Sequence, residues 1–105
     1  MLISNTRYDN EIISFKLLNG DEIVGRVLED NAIDWKVERP CTVVPSQKGI
    51  MLISTLFTTE PDITVHINKN QVLLHAPTAK QVRDYYIQVT TGIQPVSAAI
   101  LAGGL

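Results

Sequence analysis

The chain is expected to fold as a small, mainly β barrel of about five strongly bent antiparallel strands, followed by one C-terminal helix. Three observations carry that expectation. Asn19-Gly20 lies between alternating apolar runs, a strong hairpin signal, and a type I′ turn there would give both residues positive φ. Gly25 interrupts the second run at mid-length, where glycine marks a bulge or sharp bend that lets a short sheet curl. The apolar period then changes after Pro77 from two to the three and four of a helix.

The first strand spans Ile12 to Leu18, with Ile13, Phe15 and Leu17 on one face and Ser14 and Lys16 on the other. The second runs from Asp21 to Glu29 and ends in the polar break Glu29-Asp30-Asn31-Ala32. Asp34 to Glu38 alternates strictly and turns Trp35 and Val37 inward. Pro40 cannot donate to a ladder, which predicts a bulge or edge position before extended structure resumes at Cys41 to Val44. Pro45 to Gly49 is a loop, and Ile50 to Phe57 is an apolar, β-branched run read as a strand. After the loop Thr58 to Asp62, Ile63 to Ile67 alternates again. Asn68-Lys69-Asn70 turns the chain, and Gln71 to His75 is the last strand.

Thr78-Ala79-Lys80-Gln81 fits a capping box, with Thr78 as N-cap and Gln81 three residues on. Val82, Tyr85, Tyr86, Val89 and Ile93 then recur at helical spacing, and Gly92 stands where a glycine cap belongs. This predicts a helix over about residues 79–91, laid across one opening or face of the barrel. The tail from Ile93 to Leu105 is apolar and rich in small residues, and is read as docking on a partner or fraying.

The 105 residues are read as one domain, with the barrel over about 12–75 and the helix and tail over 77–105. Apolar residues make up 45% and charged residues 19%, which excludes a disordered chain. The net charge of −2 makes the whole molecule no magnet for polyanions. Residues 1–62 hold six Lys and Arg against ten Asp and Glu, and residues 63–105 hold three against one, so any polyanion contact is expected toward the C-terminal part. Cys41 is the single cysteine, which rules out an internal disulfide and a multi-cysteine metal site and makes a reducing cytoplasm the expectation. Met1 to Tyr8 does not read as a secretory signal, and no run approaches the roughly 18–20 apolar residues of a membrane span.

Leu17-Leu18-Asn19-Gly20, followed five residues later by Gly25 and then by apolar Val27, resembles the first motif of Sm-like (Lsm and Hfq-type) proteins. Ile67-Asn68-Lys69-Asn70-Gln71-Val72 is similar to their second motif, an apolar residue, Arg, Gly, Asn, any residue and Val. It keeps the apolar ends and Asn70, and has Asn68 and Lys69 in place of the arginine and glycine. The helix also departs from the family, which normally places one before the first strand. The long apolar strand and truncated motifs resemble the divergent Sm-like proteins of tailed phages. The resemblance implies a bent five-stranded barrel that closes into a homo-oligomeric ring of about five to seven subunits, the fourth strand of each pairing with the fifth of its neighbour.

In RNA-binding relatives, an Asp and an Asn after the second strand and the Arg of the second motif hold a base. Aligned without gaps, the Asp and Asn slots fall on Asn31 and Trp35; with one residue removed they fall on Asp30 and Asp34. The resemblance therefore implies an RNA-binding set of Asp30, Asn31, Asp34, Asn68, Lys69 and Asn70; read without it these are ordinary turn residues, since Asn and Asp favour turns for their own reasons. Trp35 is read as a core or interface aromatic, Cys41 as a buried thiol, and Tyr85-Tyr86 as packing the helix on the barrel. His66 and His75 lack ligand spacing, and no catalytic motif is present, so neither a metal, a cofactor nor an enzyme is expected. Two function classes remain. One is a ring that binds single-stranded RNA in a processing or chaperone role, in the cytoplasm, or the host's if phage-encoded. The other is a protein-interaction or phage-assembly module on the same barrel, without RNA.

Overall fold

In the computed structural model, which describes residues 7–92, the hairpin forms between β1 (Ile12–Leu17) and β2 (Glu22–Asp30). Its turn is not type I′. Gly20 has φ +97° but Asn19 does not enter the positive region. The Gly20 amide donates to the Leu17 carbonyl at 2.9 Å and the Leu17 amide to the Asp21 carbonyl at 2.8 Å, which is a three-residue loop with a left-handed glycine. Asn19 acts through its side chain instead, its Oδ1 accepting from the Asp21 amide at 2.9 Å.

Gly25 is the bulge the sequence announced. The β2–β3 register shifts between Val24 and Arg26. A Cβ at Gly25 would overlap the Val37 side chain and come within 3.3 Å of the Glu38 carbonyl oxygen. Only glycine lets the strands approach this closely.

The third strand, β3 (Asp34–Ser46), is longer than expected because extended structure continues through Pro40. Arg39 has φ +48°, which bends the strand in the middle. One edge of β3 pairs with β2. The other is divided: Cys41 to Ser46 pair with β4 (Gly49–Ser54), and Asp34 to Glu38 pair with β5 (Thr64–Asn68). The apolar run from Ile50 therefore ends as a strand at Ser54 rather than Phe57. Beyond the Cys41–Ser54 pair stand Pro40, which has no N–H, and the turned backbone of Arg39, so the ladder stops. A 3-10 turn, Lys69–Gln71, leads from β5 into β6 (Val72–Pro77), which pairs with β1.

Among the described residues the sheet thus has six strands in the order β4-β3-β2-β1-β6, with β5 beside β3, all antiparallel. It is not closed into the five-stranded barrel expected from the sequence. No ladder joins β5 to β6, because the intervening turn carries the chain from the edge of β3 across to the edge of β1.

Bending gives the sheet two apolar faces. The inner one buries Ile13, Phe15, Val27, Trp35 and Val37, with Tyr8, Leu17, Val65, Ile67 and Val72 packed around them. The outer one buries Ile12, Val24, Cys41 and Leu52 beneath Tyr85, Tyr86 and Val89 of the helix α1 (Lys80–Thr90). Adjacent residues such as Ile12 and Ile13 serve opposite cores, as the period of a strand requires.

The helix is not started by a capping box. The Thr78 hydroxyl hydrogen-bonds Ser14 Oγ at 2.7 Å, and Ala79 takes the N-cap position without a side-chain bond. The glycine cap is present: Gly92 has φ +83° and its amide points at the Val89 carbonyl, 3.4 Å away. Ile93 and the rest of the tail lie outside the described residues. No helix among the described residues is long and apolar enough to cross a membrane.

Candidate functional site

The six residues implied by the resemblance gather at one end of the sheet. The β2–β3 turn is built on Asn31, whose Oδ1 accepts from the Ile33 and Asp34 amides at 3.0 and 2.9 Å while its Nδ2 donates to Asp34 Oδ1 at 2.9 Å. At the 3-10 turn, Asn68 Oδ1 accepts from the Asn70 amide at 2.8 Å. The Lys69 amide donates to the Ile33 carbonyl at 2.9 Å and ties the two turns together, with Asp34 and Asn68 register partners. Asn31, Asn68 and Asn70 are exposed.

Asp30 and Lys69 are arranged differently. The Asp30 side chain is only 7% exposed, and its Oδ1 receives the Lys69 ammonium at 2.7 Å. Its Oδ2 accepts from the Tyr8 amide at 2.9 Å. Burial pushes the Asp30 carboxyl up, but the Lys69 hydrogen bond, the Tyr8 amide, the Lys69 charge and the nearby Trp35 N–H together hold it below the usual carboxylate value. Lys69 Nζ also lies 4.7 Å from the Trp35 ring centroid, within cation–π range.

Trp35 is a core residue, 3% exposed, and offers no stacking surface at the loop tip. Its Nε1 is buried beside Asp30 without a hydrogen bond of good geometry. Around it stand Phe15, Tyr8 and His75, with ring centroids 5.0, 6.4 and 4.9 Å away. Tyr8 Oη and His75 Nδ1 are 2.7 Å apart. Tyr8 therefore straps the N-terminal segment across β2, β3 and β6. Sequence reasoning missed this role, because Tyr8 lies in a polar segment without periodicity. The sequence held no signal for it, since His75 comes opposite inward-facing Phe15 only through the β1–β6 register.

Beside the turns an open cleft of about 690 Å³ is lined by Arg7, Asn31 and the acids Asp9, Glu29 and Asp30, among others. At the opposite edge, β6 gives one side of its backbone to β1 and leaves Leu73 and Leu74 62% and 63% exposed. Among the described residues, no group of three or more His, Cys, Asp or Glu is placed to hold a metal. Burial raises the Cys41 thiol to about 11, so it is protonated at neutral pH and a poor nucleophile.

Tyr86 carries more than packing. Next to the bulge at Gly25, where Arg26 stands opposite Glu38, Tyr86 Oη lies 3.3 Å from the Arg26 amide as acceptor. The same hydroxyl is 2.7 Å from the Glu38 carbonyl and 3.1 Å from that of Arg39, where β3 bends. Burial, foremost, pushes the phenol's pKa far up, which keeps it protonated as a donor.

No protein-family model matches the chain, and no curated protein matches it.

Proposed function

We propose that this chain is an Sm-like, non-enzymatic protein that works in the cytoplasm as a homo-oligomeric ring of about five to seven copies, held by pairing the free edge of β5 in one copy to that of β6 in the next. One observation carries this reading. Among the described residues β6 is an edge strand, paired with β1 alone, and bears two exposed leucines, Leu73 and Leu74, a combination that soluble proteins cover. Light scattering tests it: a mass of five to seven chains at micromolar concentration is expected, and a monomer refutes the ring. Leu73→Lys with Leu74→Lys should shift the mass toward the monomer.

Within that ring, the end of the sheet where Asn31, Asn68 and Asn70 are exposed is the site we assign to single-stranded RNA, read through base edges. The supporting observation is the bond from the Lys69 amide to the Ile33 carbonyl, which places both turns side by side. Fluorescence anisotropy with short U-rich and A-rich oligonucleotides tests it, and no binding at low micromolar concentration removes the RNA role. The competing reading is an assembly module without RNA. It is favoured by the pairing of Lys69 with Asp30, which leaves the turns without a free cation of their own. Partner capture that persists without oligonucleotide binding selects it.

A further inference from the structure

We propose that Asp30 is a lock on Lys69: it withholds the lysine from nucleic-acid phosphates, and the N-terminal strap around Tyr8 keeps the lock closed. The polyanion part rests on the RNA reading above; the lock itself rests on geometry alone.

Lys69 is the one lysine or arginine within either turn, residues 31–33 and 69–71, and stands beside Asn68, which occupies the slot of the missing motif arginine. An exposed lysine there would meet a phosphate approaching the amide-lined end. Instead its ammonium is drawn inward, 2.7 Å from Asp30 and against the Trp35 face, and only 31% of its side chain is exposed. A carboxylate this enclosed cannot swing away to release its partner without being left unpaired, so the pair opens only if something else moves.

The movable part is the strap. It is held to Asp30 by the Tyr8 amide, to β2 by the Asn10 amide on the Val27 carbonyl at 2.8 Å, and to β6 by Tyr8 Oη on His75. Arg26 Nη1 adds a bond to the Asn10 carbonyl. Lifting Tyr8 would remove one of the two bonds that fix the Asp30 carboxylate and open the Trp35 side of the pair to water. Water weakens the attraction between the charges and frees the ammonium.

The test reads Lys69 directly. In the wild-type chain treated with an amine-acetylating reagent, peptide mass spectrometry should find Lys69 modified about tenfold more slowly than Lys48 of the exposed β3–β4 turn, the order of one charge-assisted hydrogen bond. Asp30→Asn should bring the two rates within about threefold, and Tyr8→Ala, which leaves the pair but loosens the strap, should fall between. Equal rates in the wild type, or a Lys69 still slow in folded Asp30→Asn, overturn the lock. The wild-type and Tyr8→Ala arms decide the matter even where Asp30→Asn fails to fold. Anisotropy with a U-rich oligonucleotide then separates lock from ligand. Asp30→Asn should bind about tenfold tighter, with a salt slope steeper by about 0.7 per freed lysine, and Asp30→Asn with Lys69→Gln should lose the gain. A freed Lys69 with oligonucleotide binding unchanged overturns the polyanion part and leaves both the RNA reading and the mechanical lock standing, whereas no binding by any variant at low micromolar concentration removes the RNA reading itself.

Discussion

The two faces of the bent sheet solve the same problem in opposite ways. The outer face is sealed by the chain's own helix, and the Arg26 amide and Glu38 carbonyl beside the Gly25 bulge are both met by the single hydroxyl of Tyr86. The inner face buries the larger aromatic, Trp35, yet leaves its Nε1 without a bond of good geometry and closes its rim with a charged pair and a strap. A face closed by hydrogen bonds to backbone is fixed. One closed by an ion pair and a segment outside the strands and helix has a part that can move.

The comparison can be broken by substitution, and the largest effect is expected in the inner core. Phe15 is fully buried against Trp35, and Phe15→Ala should cost about 3–5 kcal/mol in urea unfolding. A loss under about 1 kcal/mol would mean that the inner face is loosely packed. Next comes the contrast between polar atoms. Tyr86→Phe removes one hydroxyl but strands the Arg26 amide and the Glu38 carbonyl, at about 1–3 kcal/mol. Trp35→Phe removes an N–H without a bond of good geometry, so its cost should come mainly from lost volume, with a smaller part from the Asp30 and Lys69 charges that the indole faces.

A pH titration sharpens the contrast further. The folded-state value of Asp30 is depressed, so its contribution is fully present above the unfolded value near pH 4 and is lost as pH falls through the folded value. Asp30→Asn should flatten the acid limb of stability against pH below about 4, whereas Tyr86→Phe should leave its shape unchanged. The smallest effect is expected at the helix end. Gly92 has φ +83° with nothing within 4 Å of a Cβ, so Gly92→Ala should cost about 1 kcal/mol from backbone strain alone, read in thermal unfolding.

Much of this was legible in the sequence where a residue's role depends on its neighbours along the chain. The alternation around Trp35 and Val37 placed both inward, Gly25 announced the bulge, and the spacing of Val82, Tyr85, Tyr86 and Val89 announced the helix face. What failed depended on contacts distant in sequence. Thr78 looked like an N-cap until Ser14, 64 residues away, took its hydroxyl. Asp30 looked like an exposed turn acid because nothing near it signals that Lys69 and Tyr8 will enclose it. Barrel closure failed for a similar reason: no local pattern says that one thirteen-residue strand will divide its far edge between two partners. At the candidate site, the residues picked by family spacing fall on two turns that the fold brings side by side, but whether their side chains face solvent or each other is a tertiary matter.

The divided edge of β3 also makes the molecule convenient to modify. Cys41 to Ser46 and β4 form a hairpin whose tip at Gln47 and Lys48 is exposed and held by one Ser46–Lys48 bond. Arg39 bends the strand before that register reaches Asp34 to Glu38, so a lengthened tip would not slide the pairs that position the two turns. A peptide tag or fluorophore inserted between Gln47 and Lys48 would report on assembly from a site built independently of both the loop end and the β6 edge.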